Sequence, residues 1–166
     1  LGQHILTQVL TPLLEQESAS IEESVQEILQ EGIQKAHQTI TRLAKGGGTT
    51  LTAALLIDDQ MMITHIGDSR CYTISPNGSI KLITRDHSLV MRMIELGQLT
   101  KEEAALHPQR NVLYRALGQN EPLTADIQTY PLQSGSQVLL CSDGLWGVVS
   151  EAEFNKIIYS STSPQQ

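Results

Sequence analysis

Residues 139–146, which read LLCSDGLW, and residues 65–70, which read HIGDSR, are the two stretches that decide how the rest of the sequence is interpreted. In each, an apolar strand-like run ends in small residues and one aspartate, Asp143 in the first and Asp68 in the second. Such a turn holds a carboxylate at the rim of a sheet, where preplaced oxygen atoms suit a hard cation such as Mg²⁺ or Mn²⁺. Taken alone, each aspartate is more simply interpreted as a turn residue beside glycine.

Size, charge and cysteine usage exclude several classes of protein. A length of 166 residues with 40% hydrophobic residues suits one domain with its own core. A net charge of -7 without a basic run argues against a nucleic-acid surface. No run approaches the roughly 18 apolar residues of a membrane span, so we expect a cytoplasmic protein that binds neither nucleic acid nor membrane. Cys71 and Cys141 lack CxxC spacing and are predicted to be core residues.

Helical patterns come first along the chain. Apolar residues at helical spacing cover residues 1–14, and Pro12 is expected either to kink this helix or to mark a new start. A second helix is predicted to begin near Ser20, which forms a capping pattern with Glu23. The glycine run at residues 46–48 ends that helix, and strands are expected to follow it.

Short runs rich in Thr, Ile, Leu and Met then predict a set of strands. The predicted strands are residues 49–57, 61–66, 71–74, 79–84, 111–117, 123–130 and 137–141. The turns at residues 58–59 and 75–78 are short, which implies antiparallel pairing and an α+β fold. A last helix is expected after Ser150, which is paired with Glu153 as a cap, and it should bury Phe154, Ile157 and Ile158.

Residues 84–110 interrupt the strands with helical sequence. Ser88 is the predicted start of a short helix, Gly97 is its stop, and Thr100 begins another helix with Glu103 as capping partner. A helical excursion of this kind either fills a core edge or forms a flap over a site. The polar residues at its borders are interpreted first as loop anchors; they are Asp86, His87, His107 and Arg110.

Five short motifs follow one another between Gly48 and Leu145. They are Gly48-Thr49-Thr50, the run from His65 to Arg70, the run from Ile83 to Ser88, the run from His107 to Gly118, and the run from Cys141 to Leu145. In this order they resemble the bacterial form of the type 2C metal-dependent protein serine/threonine phosphatases. The resemblance implies a four-layer α/β/β/α sandwich of two mainly antiparallel sheets flanked by helices. It also implies hydrolysis of phosphoserine and phosphothreonine in proteins by water activated at a binuclear Mg²⁺ or Mn²⁺ centre.

The same resemblance gives roles to individual residues. Asp143 would be a ligand of the binuclear centre, and Asp68 would help to bind a third, weaker ion beside it. The complete domain would therefore hold two or three Mg²⁺ or Mn²⁺ ions. The segment 84–110 would be the flap that helps to receive the phosphoprotein substrate, with His107 and Arg110 as its substrate-binding residues.

The chain departs from the family pattern in several places. No R-x-x-N-E/D segment, D-G-x-G-G turn or C-terminal Asp-Asn pair is present, and Gly147 stands where some members carry an acid. We therefore expect a single domain, residues 1–166, that is truncated at both ends and self-associates through exposed sheet edges. One hypothesis is that the chain is most of an active phosphatase. The alternative is a catalytically inactive module that binds phosphoprotein or a partner protein.

Overall fold

The computed structural model describes residues 18–44, 46–119 and 122–161. The described helices are α1 (Ser18–Leu43), α2 (Leu89–Glu95), α3 (Lys101–Leu106), α4 (Asp143–Trp146) and α5 (Glu151–Ser160). The described strands are β1 (Leu51–Ile57), β2 (Gln60–Ile66), β3 (Arg70–Ile74), β4 (Ile80–Leu82), β5 (Asp126–Pro131) and β6 (Gln137–Cys141). The helix predicted over residues 1–14, with its kink or new start at Pro12, lies outside the described residues.

The strands form two antiparallel sheets of three strands each. The first sheet has the order β1-β2-β5 and the second has the order β4-β3-β6. The two inner strands follow each other in sequence, so the turn at residues 67–69 carries the chain from one sheet to the other. In β2 every residue after Gln60 is buried, as expected for a central strand that is covered on both faces.

Alternate residues of the inner strands divide the core into layers. Met62 faces α1, where it clusters with Val25, whereas Met61 faces the second sheet and clusters with Cys71. Tyr72 of β3 points the other way, and its ring lies 5.9 Å from that of Phe154 in α5. The layers therefore run helix, sheet, sheet, helix. The predicted α+β class and four-layer sandwich are confirmed.

The helix boundaries agree with most of the capping signals. The Ser88 side chain accepts a hydrogen bond from the Met91 amide in the first turn of α2, and Thr100 forms the predicted capping box with Glu103. The described helix α1 begins at Ser18, within two residues of the predicted start near Ser20, so that start is confirmed, although Ser20 lies in the first turn rather than at the cap. No described helix combines the length and apolarity needed to cross a bilayer.

Helix α5 begins with the predicted capping box between Ser150 and Glu153. Phe154 is buried as expected, but Ile157 is 53% exposed and Ile158 is only partly buried. The prediction for Ile157 was wrong because the face of α5 that meets the sheet is narrower than its apolar stripe.

The strand predicted over residues 111–117 does not form. Leu113 makes an isolated bridge with Ser88, and Leu117 makes another with Thr49. The segment thus changes partner within a few residues, so no continuous ladder of hydrogen bonds develops. Its β-like composition reflects two separate contacts with distant parts of the chain.

Candidate active site

Asp68 and Asp143 lie at the same rim of the molecule. Asp68 follows β2 in the turn between the two sheets, and Asp143 is the first residue of α4 after β6. Strand β3 pairs with β6 so that Arg70 is opposite Cys141. That register places the turn before β3 beside the turn after β6, and it is the reason that two aspartates 75 positions apart in sequence meet.

Both aspartates line two adjoining clefts. The larger cleft has a volume of about 540 Å³ and is walled partly by residues of α2 and α3. The smaller cleft, about 450 Å³, runs along Gly48, Thr49 and Thr50. The rim therefore separates a predominantly aliphatic recess under the helical segment from a more polar recess beside the first motif.

The two carboxylates leave negative charge without a counter-ion. Burial raises the pKa of Asp68 above its usual value, and the charges of Asp143 and Asp86 raise it further. Among the residues that the structure describes, no Lys or Arg forms an ion pair with Asp68 or Asp143. A site with this charge attracts a cation, and oxygen atoms of this kind are the ligands that Mg²⁺ and Mn²⁺ prefer.

The described residues supply part of a metal site. Over residues 18–44, 46–119 and 122–161 there is no group of three Asp, Glu, His or Cys side chains that could hold an ion. An ion beside Asp68 and Asp143 would therefore take its other ligands from water, from substrate or from further residues. The position four residues after Asp143 adds none, because Gly147 has no side chain. A Cβ added there would lie 2.6 Å from the Asp143 carbonyl oxygen.

The backbone around Asp68 is fixed at three consecutive carbonyl groups. Each carbonyl accepts a hydrogen bond from a different part of the fold, namely the segment before α2, helix α4 and strand β1. The bonds are His87 N to Gly67 O at 2.7 Å, Trp146 Nε1 to Asp68 O at 2.9 Å and Thr52 Oγ1 to Ser69 O at 2.9 Å. We refer to residues 67–69 as the Asp68 corner.

The Asp68 corner requires glycine at its first position. Gly67 has φ +104°, and a Cβ added there would lie 2.4 Å from Cγ2 of Thr50. Thr50 in turn contacts Ser69 through their hydroxyl groups at 2.9 Å. Close packing against Thr50 therefore leaves no room for a side chain at Gly67, and the hydrogen bonds to the three carbonyl groups fix the backbone conformation of the corner.

Arg70 and Asp86 form the wall behind the corner. Arg70 donates from Nε at 3.0 Å and from Nη2 at 2.8 Å to the two carboxylate oxygens of Asp86. The Arg70 guanidinium also lies 3.8 Å from the centre of the Trp146 ring. Because a bidentate carboxylate already occupies it, Arg70 supports the turn rather than reaching for a ligand.

A second polar cluster lies just inside the corner. His87, which is 1% exposed, is 3.1 Å from the Asp126 carboxylate, and Arg115 donates to the other oxygen of Asp126 at 2.7 Å. The ring of His65 lies 4.9 Å from that of His87. No sequence signal pointed to Asp126, because a single acid at the start of a strand is common. Arg115 belongs to one of the five motifs, but no role was predicted for it.

The predicted substrate residues occupy different places. Arg110 is exposed and lines the larger cleft together with Asp68 and Asp143. His107 is the C-cap residue directly after α3, and its Nδ1 accepts a hydrogen bond from the Gln109 amide at 3.2 Å. Neither cleft has His107 among its described lining residues. Lys101 lines the larger cleft and was not foreseen, because it appeared only as the first residue of a short helix.

Comparison with known proteins places these features in a family. The family model described as Protein phosphatase 2C matches residues 2–165. The chain is 39% identical over 144 residues to the serine/threonine phosphatase stp of Listeria innocua, covering 83% of this chain and 57% of that protein. The chain thus spans little more than half the length of this relative.

Solved structures show the same fold. The serine/threonine phosphatase of S. agalactiae superposes with a TM-score of 0.78 at 30% identity, covering 94% of this chain and 67% of that one. The catalytic domain of the serine threonine protein phosphatase PstP, solved in complex with two manganese ions, superposes with a TM-score of 0.71 at 26% identity. That match covers 95% of this chain and 68% of the PstP chain.

Proposed function

Because the chain belongs to the protein phosphatase 2C family, we propose that it is the part of a metal-dependent protein serine/threonine phosphatase that carries Asp68 and Asp143. The proposed reaction is hydrolysis of phosphoserine and phosphothreonine in proteins. The observation that carries the proposal is the pair of aspartates without a cationic partner at the rim of two clefts. The name of the Listeria relative and the manganese ions of PstP support it.

Asp143 and Asp68 are the residues that would hold Mg²⁺ or Mn²⁺. When bound, such ions lower the pKa of water and neutralise phosphoryl oxygens. The chain itself holds the backbone that carries the Asp68 carboxylate through the three bonds to the Asp68 corner, so little backbone reorganisation is needed on binding. Repulsion between the Asp68 and Asp143 carboxylates destabilises the site without an ion, and the same negative charge favours binding of a cation.

The cysteines do not provide an alternative nucleophile. Burial raises the pKa of the Cys71 thiol to about 11, so it is protonated at neutral pH. Burial also raises the pKa of Cys141, and neither residue stands in a C-x5-R loop. Direct attack by water therefore fits this chain better than a cysteinyl-phosphate route.

The larger cleft supplies contacts for the substrate. Arg110 is exposed on it, and within the described part of the chain Arg110 forms no ion pair. A free guanidinium is suited to bind phosphate or an acidic neighbour of the phosphorylated residue. The aliphatic side chains of Val90, Met91 and Ile94 line the same cleft and offer apolar surface to the peptide. We therefore propose residues 84–110 as a substrate-receiving flap in which Arg110 has a larger part than His107.

The test is hydrolysis of a phosphothreonine peptide by the full chain with Mn²⁺ and with a chelator. We expect Mn²⁺-dependent turnover that falls at least a hundredfold in Asp143→Asn, because the ion loses a carboxylate ligand. Asp59→Asn is the matched control, since it removes the same charge from a hairpin turn outside both clefts. Equal turnover in wild type and Asp143→Asn would refute the proposal.

The second candidate is a catalytically inactive module that binds phosphoprotein. It is favoured by the lack of a third metal-ligating side chain beside the two aspartates within the described residues. A folded wild-type chain that binds the phosphopeptide but gives no turnover with Mn²⁺ would support this candidate. The same measurement therefore separates the two.

A further inference from the structure

We propose that His87 is a positioning residue for Asp68, acting as a neutral imidazole that carries its proton on Nε2 and holds the Gly67 amide with Nδ1. The inference rests on the proposed function in one respect, which is the role given to Asp68 as a metal ligand. The arrangement of the imidazole itself is read from hydrogen-bond donors and acceptors and does not depend on that role.

The donors and acceptors around the ring allow one tautomer. The Gly67 backbone N–H lies 3.1 Å from Nδ1 and can only donate, so Nδ1 must present its lone pair. A neutral imidazole has one proton, which must then be on Nε2, where the Asp126 carboxylate accepts it at 3.1 Å. Arg115 Nη1 is also 3.3 Å from Nε2, but it donates at the shorter distance of 2.7 Å to the other oxygen of Asp126. A proton on Nδ1 would set two donors against each other at Gly67.

Asp126 and Arg115 hold this tautomer. Partial burial raises the pKa of Asp126, but the bond from His87 and the charge of Arg115 together outweigh it and keep that pKa below its usual value. Burial lowers the pKa of His87, and the nearby Arg115 charge lowers it further, while Asp126 raises it. A neutral imidazole that donates to an ionised carboxylate is thus the stable state at pH 7.

The bonds between His87 and Gly67 are reciprocal. His87 donates its own backbone N–H to Gly67 O at 2.7 Å and accepts the Gly67 N–H through its ring. Both groups of Gly67 are therefore held by one residue. With His87 only 1% exposed, the Gly67 amide is paired with the ring and shielded from solvent while the ring is present. The peptide that precedes the Asp68 side chain is thus oriented by His87.

The position of the ring argues against a direct chemical role. His87 is not among the residues that line either cleft, and its two nitrogen atoms are already engaged. It therefore acts through Gly67 rather than on the substrate. A phosphatase of this kind would lose metal affinity and activity together if the corner were released.

Two substitutions separate the two ring nitrogens. The side-chain oxygen of Asn occupies nearly the place of Nδ1, so His87→Asn keeps an acceptor for the Gly67 amide and loses the hydrogen bond to Asp126. The side-chain amide nitrogen of Gln reaches nearly the place of Nε2, so His87→Gln keeps a donor for Asp126 and loses the acceptor for the Gly67 amide. His37→Gln is the matched control, because Nδ1 of His37 accepts the Gly118 amide at 3.2 Å, away from the corner.

The first readout is nuclear magnetic resonance of the metal-free chain. Long-range imidazole spectra of the wild type at pH 7 should show the proton of His87 on Nε2. Exchange of the Gly67 amide should be about tenfold faster in His87→Gln, and within about threefold of wild type in His87→Asn and in His37→Gln. A wild-type proton on Nδ1 or on both nitrogens, or equal Gly67 exchange in the two His87 variants, would overturn the inference.

The second readout is binding of Mn²⁺ alone to the same proteins, measured by electron paramagnetic resonance. We expect the apparent Kd to rise about tenfold in His87→Gln and to change little in His87→Asn and His37→Gln. Equal affinity in His87→Gln and wild type would overturn the positioning role. A wild-type chain that binds no Mn²⁺ would instead refute the proposed function, and the exchange data would still decide the state of His87.

Discussion

Gly67→Ala is the most direct test of how the Asp68 corner is held. The backbone at Gly67 has φ +104°, a conformation that side-chain-bearing residues rarely adopt. An added Cβ would lie 2.4 Å from Cγ2 and 2.7 Å from Cβ of Thr50, where carbon atoms in contact normally stand about 3.5 to 4.0 Å apart. The substitution therefore combines a strained backbone with a steric overlap.

The expected destabilisation is the sum of these two costs. A non-glycine residue held at positive φ costs about 1–3 kcal/mol, and forcing an extra carbon into a packed site costs a further 1–3 kcal/mol or so. Against these, alanine restricts the unfolded chain and returns about 0.5 kcal/mol. We expect Gly67→Ala to lower the free energy of unfolding by about 1.5–5.5 kcal/mol, a large part of the stability of a typical domain.

Urea denaturation followed by circular dichroism measures this change, with Gly97→Ala as the matched control. Gly97 also has positive φ, +70°, but an added Cβ would meet nothing within 4 Å. Gly97→Ala should therefore cost only about 1 kcal/mol, from backbone strain alone. In the Gly67→Ala background, Thr50→Ser removes the overlap with Cγ2 but keeps the one with Cβ at 2.7 Å, so it should restore only part of the loss, about 1 kcal/mol. Equal losses at the two glycines would refute the steric argument.

Three further predictions concern buried polar groups. Asp86→Asn should lower the free energy of unfolding by about 3 kcal/mol, since it leaves the mostly buried Arg70 guanidinium without its counter-ion; a loss below about 1 kcal/mol in urea denaturation would contradict this. Burial lowers the pKa of His65 and His87, so the unfolded chain binds protons first as pH falls below about 6.5, and stability should fall by up to ~1.4 kcal/mol per pH unit for each histidine. Urea midpoints measured at pH 7.5 and 5.5 check the direction of this change. A higher midpoint at pH 5.5 would contradict the prediction. Thr64→Val should raise stability by about 1 kcal/mol, because the buried Thr64 hydroxyl has no hydrogen-bond partner in the described structure, and an unchanged thermal midpoint would count against that.

Local chemistry was enough to predict most of the elements. The turn at residues 75–78 forms as expected, with Gly78 donating to Ser75 O and Ser75 donating to Ser79 O. Helix caps at Thr100 and Ser150 were found for the same reason, since a cap involves residues only three positions apart. The strand predicted over residues 111–117 failed because its backbone partners are distant, and composition does not show where they change.

In the candidate site, too, residues with a local sequence signal were predicted, and residues whose role depends on distant contacts were not. Asp68 and Asp143 were recognised as candidates from their turns, and the structure brings them to one rim. Their closeness depends on the register of β3 against β6, which the sequence does not specify without knowing which strands pair. Asp126 was missed because its role exists only through His87 and Arg115, and both of these are distant in sequence.

The structure gives a physical reason why five separated motifs occur in this chain. The first motif packs Thr50 against Gly67, and the second motif contains the Asp68 corner itself. Each of the other motifs sends one side chain toward that corner, either directly or through His87. The contacts are His87 to Gly67 from the third motif, Arg115 to the partner of His87 from the fourth, and Trp146, directly after the fifth, to Asp68 O. The order of the motifs in sequence is thus the order in which the chain returns to one turn. A substitution of His87, Arg115 or Trp146 is therefore expected to act first on the placement of Asp68, and only through that placement on the reaction.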